Sequence, residues 1–139
     1  MRNSIFFVIP GIPAAKGRPR FARRGDSVST YKPAKTTSYE NLVKLCYTAK
    51  AIGLKPHEGG VKMSIACLFP IPKSTSKKQR LEIGCHPAYL KKPDVDNLIK
   101  IILDALNGIA YRDDKQVYSV TCKKYYSETP RTTVEMEFI

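Results

Sequence analysis

The stretch that most constrains this chain is a helix whose start, end and buried face are all legible, running from about Asp94 to Asn107. Pro93 precedes it, Asp94 can cap it, and Asn107-Gly108 supplies a left-handed stop. Leu98, Ile101, Ile102, Ala105 and Leu106 fall at i, i+3, i+4, i+7 and i+8, so one stripe must face a core. Asp96 and Lys100 lie one turn apart on the opposite side. Asp94 sits at the helix start, where the dipole tolerates negative charge. With Asp104 and Asp113-Asp114, this short region holds five of the twelve acidic residues in a protein of net charge +12. Carboxylates crowded together repel unless a cation lies between them. A hard divalent metal is the simplest reason for gathering them, and a polyanion is the simplest partner for the rest of the surface.

The 139 residues, 42% of them apolar, predict one compact domain over 1–139. The basic balance points to nucleic acid or an anionic membrane surface. No apolar run approaches the ~20 residues a bilayer span requires. The opening run Ile5–Ile9 is too short for a secretory leader, so it reads as a first strand and the protein as cytoplasmic. Cys46, Cys67, Cys85 and Cys122 show no paired spacing. A zinc site of Cys67, Cys85, His86 and Cys122 can be drawn but lacks a C-x-x-C anchor; reduced, mostly buried thiols are the alternative. There is no Ser-His-Asp pattern and no phosphate loop of the G-x-x-x-x-G-K-[ST] type.

Residues 4–9 read as a strand ended by Pro10-Gly11. A basic, Gly- and Pro-rich loop follows from Ala14 to Thr36. A first helix is predicted with Thr37 as N-cap, Glu40 completing a capping box, a stripe of Tyr39, Leu42, Val43, Cys46 and Ala49, and Gly53 as stop. Val61–Phe69 alternates as a strand. Residues 71–92 read as a second long loop. After the acidic helix, Gln116–Tyr125 and Arg131–Phe138 read as strands joined by a turn. The expected architecture is therefore α+β, a small mixed sheet with two helices in the order β-α-β-α-β-β.

The two loops carry thirteen basic residues against two acidic ones, nearly all of the excess charge. Charge runs are usually just solvated surface. Their concentration here favours phosphate contact by Lys16, Arg18, Arg20, Arg23, Arg24, Lys32, Lys73, Lys77, Lys78, Lys91 and Lys92. Phe21, Tyr31 and Tyr89 could stack on unpaired bases or anchor their loops. Asp114, from the loop before the next strand, could approach Asp94 and Asp96. Three carboxylates around an open site suit Mg²⁺, which keeps waters and shares substrate phosphates. Lys100 would then stabilise charge developing on the attacked phosphate, and the reaction is phosphodiester hydrolysis. Each piece has a plainer reading: D-x-D as a cap, Asp113-Asp114 as a turn, Lys100 with Asp104 as a surface pair.

Lys92-Pro93-Asp94-Val95-Asp96-Asn97-Leu98-Ile99-Lys100, then Leu103–Gly108, then Asp113-Asp114-Lys115-Gln116-Val117, resembles the RusA family. These are endodeoxyribonucleases that resolve Holliday junctions, often carried by phages and prophages. Pro10-Gly11-Ile12-Pro13 and Lys16–Phe21 are similar to the opening of many members. The resemblance implies a homodimer with two Mg²⁺-dependent sites, each cutting one of two opposed strands of a four-way DNA junction in recombination and repair. It maps the essential acids onto Asp94, Asp96 and Asp114 and the important lysine onto Lys100. Asp104, Asp113 and Asn97 match as accessory positions. The 14–36 and 71–92 loops are longer than in the shortest members, so junction contacts there do not carry over. Val95, Ile99 and Leu103 form a second apolar strip expected at a subunit interface. A DNA-binding module without catalysis, and a nuclease acting on flaps or forks, remain the competing readings.

Overall fold

The computed structural model describes residues 3–17 and 20–139, with Arg20 described by its backbone alone. The elements are β1 (Ser4–Pro10), β2 (Arg20–Arg24), β3 (Ser27–Tyr31), α1 (Ala34–Lys50), β4 (Val61–Pro70), α2 (Lys77–Cys85), α3 (Val95–Leu106), a 3₁₀ turn (Asp114–Gln116), β5 (Val117–Ser127) and β6 (Arg131–Phe138). The fold is α+β, as expected.

β1, β6, β4 and β5 form one sheet in that order; β6 runs antiparallel to both neighbours, and β4 and β5 are parallel. A parallel pair needs a long crossover, and here it carries α2 and α3. Strict alternation buries one face: Ile5, Phe7 and Ile9 of β1, Val61 to Phe69 at every second residue of β4, and Thr132, Val134 and Met136 of β6. Against that face pack α1 through Tyr39, Val43 and Tyr47, and α3 through Leu98, Ile101, Ile102, Ala105 and Leu106. The α3 stripe is the one its spacing predicts. Fully burying a side chain of this size stabilises by roughly 1.5–3 kcal/mol, which fixes the rotation of α3 about its axis.

Three expectations need correction. The 14–36 segment is not all loop, because β2 and β3 form a hairpin whose tight turn uses Gly25 at φ 57°. Every residue of β3 is exposed, so no apolar alternation marks the strand. Nor is 71–92 all loop. α2 is capped by a reciprocal Ser76–Gln79 box yet buries no residue, so it lacks the stripe that betrays most helices. Finally, α1 starts at Ala34 behind Pro33, not at Thr37. Thr37 Oγ1 donates back to Pro33 O (3.4 Å), and Glu40 serves an ion pair, not a cap. Ala49 is exposed, and Tyr47 takes its place on the buried stripe. No helix among the described residues is long and apolar enough to cross a membrane.

Candidate active site

Asp94 is the N-cap residue of α3, but its side chain makes no capping hydrogen bond. Asp96 lies in the first turn. Both are exposed, and among the described residues neither carboxylate has a hydrogen bond or ion pair. Lys100 is exposed one turn further on, about 6 Å along the axis. The core stripe turns these three side chains outward, so burial on one side of α3 sets the chemistry on the other.

Asp114 opens the 3₁₀ turn that leads into β5. Gln116 rivets this turn in place. Its Oε1 accepts from the backbone N–H of Arg112 (2.9 Å) and Asp113 (3.0 Å), and its Nε2 donates to the carbonyls of His57 (2.7 Å) and Gly59 (2.8 Å). Asp113 Oδ1 accepts from Lys115 N (2.9 Å), completing a capping box. Tyr111, fully buried, donates from its hydroxyl to Leu103 O (2.7 Å) and ties the approach to α3. Asp114 is thereby held within electrostatic reach of Lys100 and Asp104. A hydrogen bond with Asp113 is the main cause that raises the Asp114 carboxyl above the usual range; partial burial and the charges of Asp113 and Asp104 add to it, and Lys100 opposes it. Asp113 is lowered, first by the Lys115 N–H and then by the bond to Asp114. Neighbouring carboxyls oppose each other's ionisation, because two negative charges side by side repel.

Asp104 does not pair with Lys100. Its partner is Lys16, at 2.9 Å, which also reaches Glu40 at 3.6 Å; Glu40 in turn holds Lys32 at 2.8 Å. Glu40 is 5% exposed and Lys16 17%, so this network is semi-enclosed. The hydrogen bond to Glu40 raises the Lys32 ammonium above its usual value. Lys16 N donates to Asn97 O (3.0 Å), laying the chain after β1 directly along α3. Two of the lysines expected to grip phosphate are thus paired to acids, and Lys100 is left without an ion pair among the described residues.

The other basic residues are spread over the periphery. Arg23 and Arg24 are exposed on the hairpin beside Phe21, which is 73% exposed. Lys73, Lys77, Lys78, Lys91 and Lys92 are exposed on and around α2. Arg18 and the side chain of Arg20 lie outside the described residues. Tyr89 anchors its loop: its ring stacks on Phe69 at 4.0 Å. Of the cysteines, Cys67 is buried, Cys46 and Cys122 are half-buried and Cys85 is exposed, all as free thiols.

Among the described residues, no three Asp, Glu, His or Cys side chains form a ready-made metal cage. The donor set nonetheless fits Mg²⁺, a cation that takes one or two carboxylates together with waters and substrate phosphates. Asp94 and Asp96 offer exposed, uncommitted oxygen donors at a helix N-terminus, and Asp114 offers a further one within electrostatic reach of Lys100. The sequence pattern singled out these four residues as candidates. It did not single out Gln116, whose backbone partners His57 and Gly59 are remote in the chain, or Tyr111, whose bond is to the Leu103 carbonyl of α3.

Residues 10–137 match the family model described as endodeoxyribonuclease RusA. The chain is also 36% identical over 138 aligned residues to "Uncharacterized protein YqaN" of Bacillus subtilis (strain 168), covering 95% of this chain and 94% of that protein. With a match across nearly its whole length, this chain belongs to the RusA endodeoxyribonuclease family.

Proposed function

We propose that this protein is a Mg²⁺-dependent endodeoxyribonuclease that resolves Holliday junctions by paired symmetric strand cleavage in recombination and repair. One observation carries the reading: in a chain of this nuclease family, Asp94 and Asp96 stand uncommitted at the outward side of the α3 N-terminus, with Lys100 one turn away and Asp114 within electrostatic reach of Lys100. Asp94, Asp96 and Asp114 hold the metal. When bound, a divalent cation lowers the pKa of a water and neutralises charge on the attacked phosphate. Lys100 stabilises the negative charge that develops on the phosphate oxygens. The network of Lys16, Asp104, Glu40 and Lys32 ties α1 and α3 to the segments on either side of the β2–β3 hairpin.

Arg23, Arg24, Lys73, Lys77, Lys78, Lys91 and Lys92 grip the DNA backbone, and branch geometry supplies most of the selectivity. The protein acts in the cytoplasm as a homodimer, since two symmetry-related sites are the simplest way to cut two opposed strands. Val95, 38% exposed, lies with half-buried Ile99 and Leu103 on the strip assigned to the subunit contact. Light scattering at micromolar concentration is expected to give twice the chain mass, and a monomer alone refutes the dimer.

The deciding experiment incubates the protein with a synthetic mobile four-way junction, with Mg²⁺ or EDTA, and resolves products on a denaturing gel. Paired symmetric nicks that require the metal are expected. Binding without any cleavage identifies a non-catalytic module, and preferential cutting of flaps or forks reassigns the substrate.

A further inference from the structure

We propose that Lys124 and Tyr89 are positioning residues that aim the α3 carboxylates by holding the backbone immediately before Asp94; the proposal rests on the nuclease reading above. Lys124 projects from β5. Its ammonium donates to the carbonyls of Lys91 (2.7 Å) and Pro93 (2.8 Å). The Tyr89 hydroxyl donates to the carbonyl between them, Lys92 O, at 3.1 Å. Three successive carbonyls leading into Asp94 are therefore each taken up by a side chain.

This arrangement is not a surface accident. The Tyr89 ring is fixed between Phe69 (4.0 Å, stacked) and Tyr126 (5.0 Å, edge-on), and the Lys124 ammonium lies 5.5 Å from its centroid. Backbone bonds lace the same strap to the outer edge of β5, from Tyr89 N to Lys124 O (3.0 Å) and from Tyr126 N to Pro87 O (2.8 Å). Lysine ammonium groups ordinarily seek acids or water, yet this one is spent on neutral carbonyls. Its neighbour Lys123 lies on the opposite face of β5 and is exposed.

The physical consequence falls on Asp94. An aspartate at an N-cap usually accepts a hydrogen bond from the first turn and so fixes its own helix start. Asp94 does not. Lys124 and Tyr89 fix the start from behind instead, so the Asp94 carboxylate stays free for a metal while its backbone stays in place. Partners of this kind around a metal ligand typically change metal affinity or activity by 10–100-fold when removed.

The test compares Lys124→Met, Lys124→Arg, Tyr89→Phe and the control Lys123→Met. Three quantities are read: Mn²⁺ affinity of the DNA-free protein by electron paramagnetic resonance, the Mg²⁺ concentration for half-maximal junction cleavage, and hydrogen exchange of the Leu98 amide, which bonds Asp94 O. Junction binding in EDTA is measured alongside. Lys124→Met is expected to weaken Mn²⁺ binding and raise the Mg²⁺ requirement by about 10–100-fold, to speed Leu98 exchange, and to leave EDTA binding unchanged. Tyr89→Phe shifts the same quantities less, Lys124→Arg restores part of the loss, and Lys123→Met matches wild type. The proposal is overturned if Lys124→Met keeps wild-type metal affinity and exchange, or if Lys123→Met reproduces its effects. Should Lys124→Met fail to fold, Tyr89→Phe, which keeps the ring stack, decides on the same readouts. A wild-type protein that neither binds Mn²⁺ nor cuts DNA refutes the nuclease reading; the Leu98 exchange rates then judge the role of Lys124 and Tyr89 independently.

Discussion

The α3 region and the basic periphery are built on opposite principles. α3 buries five residues against the sheet, and the turn that carries Asp114 is riveted by the amide of Gln116 and tied by Tyr111. The hairpin β2–β3 and helix α2 carry Arg23, Arg24, Lys77 and Lys78, yet β3 is exposed throughout and α2 buries nothing. The difference teaches a division of labour. On the nuclease reading proposed above, groups that must meet a metal and a phosphate at fixed distances stand on packed elements. Groups that attract a polyanion act over a screening length of about 8–10 Å and tolerate a loose support.

The comparison breaks most sharply at the carboxylates. Asp94→Asn or Asp96→Asn is expected to cut junction cleavage by more than the ~10–100-fold typical of residues that merely support metal ligands. Junction binding in EDTA is expected to stay intact or strengthen, because each change removes negative charge facing phosphate. A variant that cleaves normally with Mg²⁺ removes that residue from the site.

Stability separates the regions next. Ile101→Ala, in the buried stripe, is expected to cost about 2–5 kcal/mol. Leu81→Ala, on α2 where the residue is 74% exposed, is expected to change stability by no more than about 0.5 kcal/mol. Urea titration of both variants checks the contrast, and equal losses erase it. Gln116→Ala sits between them. It leaves the His57 and Gly59 carbonyls without their amide donor, at about 1–3 kcal/mol for such orphaned groups, and should raise the Mg²⁺ requirement by releasing the Asp114 turn.

Arg23→Ala with Arg24→Ala probes the periphery. If each side chain neutralises one phosphate, the slope of log affinity against log salt falls by about 2, while the cleavage rate of saturated junction stays the same. A loss of rate at saturation places the hairpin in the chemistry. The smallest effect is electrostatic. Because the Asp114 carboxyl is raised in the folded state, it contributes stability that is fully present below its unfolded pKa and lost as pH rises through the folded one. In EDTA, Asp114→Asn should flatten the dependence of melting temperature on pH across and just above the ordinary carboxylate range. An unchanged profile shows that the Asp114 carboxyl is not raised in the folded protein.

Legibility followed packing. The α3 stripe, the alternation of β4 and the span Arg131–Phe138 of β6 were readable because burial on one face imposes a period on the residues. The hairpin and α2 were missed because neither presents a buried face, although Ser76 and Gln79 did announce a helix start to a reader looking for capping boxes. Among the candidate site residues, the four chemical groups stood out by residue type and spacing. Lys16 and Lys32 were read as phosphate contacts, and nothing in their local sequence reveals that Glu40 and Asp104 hold them.

What the sequence determined by itself is the helix that carries Asp94 at its cap and Asp96 in its first turn, with its buried stripe, because one turn of helix and one apolar stripe are local facts. What only the tertiary structure decided is how that helix is held. Parallel pairing of β4 with β5 brings Lys124, 31 residues away, onto the Pro93 carbonyl beside the Tyr89 bond to Lys92, and folding sets the Gln116 turn on the carbonyl of His57, 59 residues away. Hydrogen bonds to backbone carbonyls leave no mark on residue spacing, since any residue supplies the acceptor, and so they become visible only once the strands are in register.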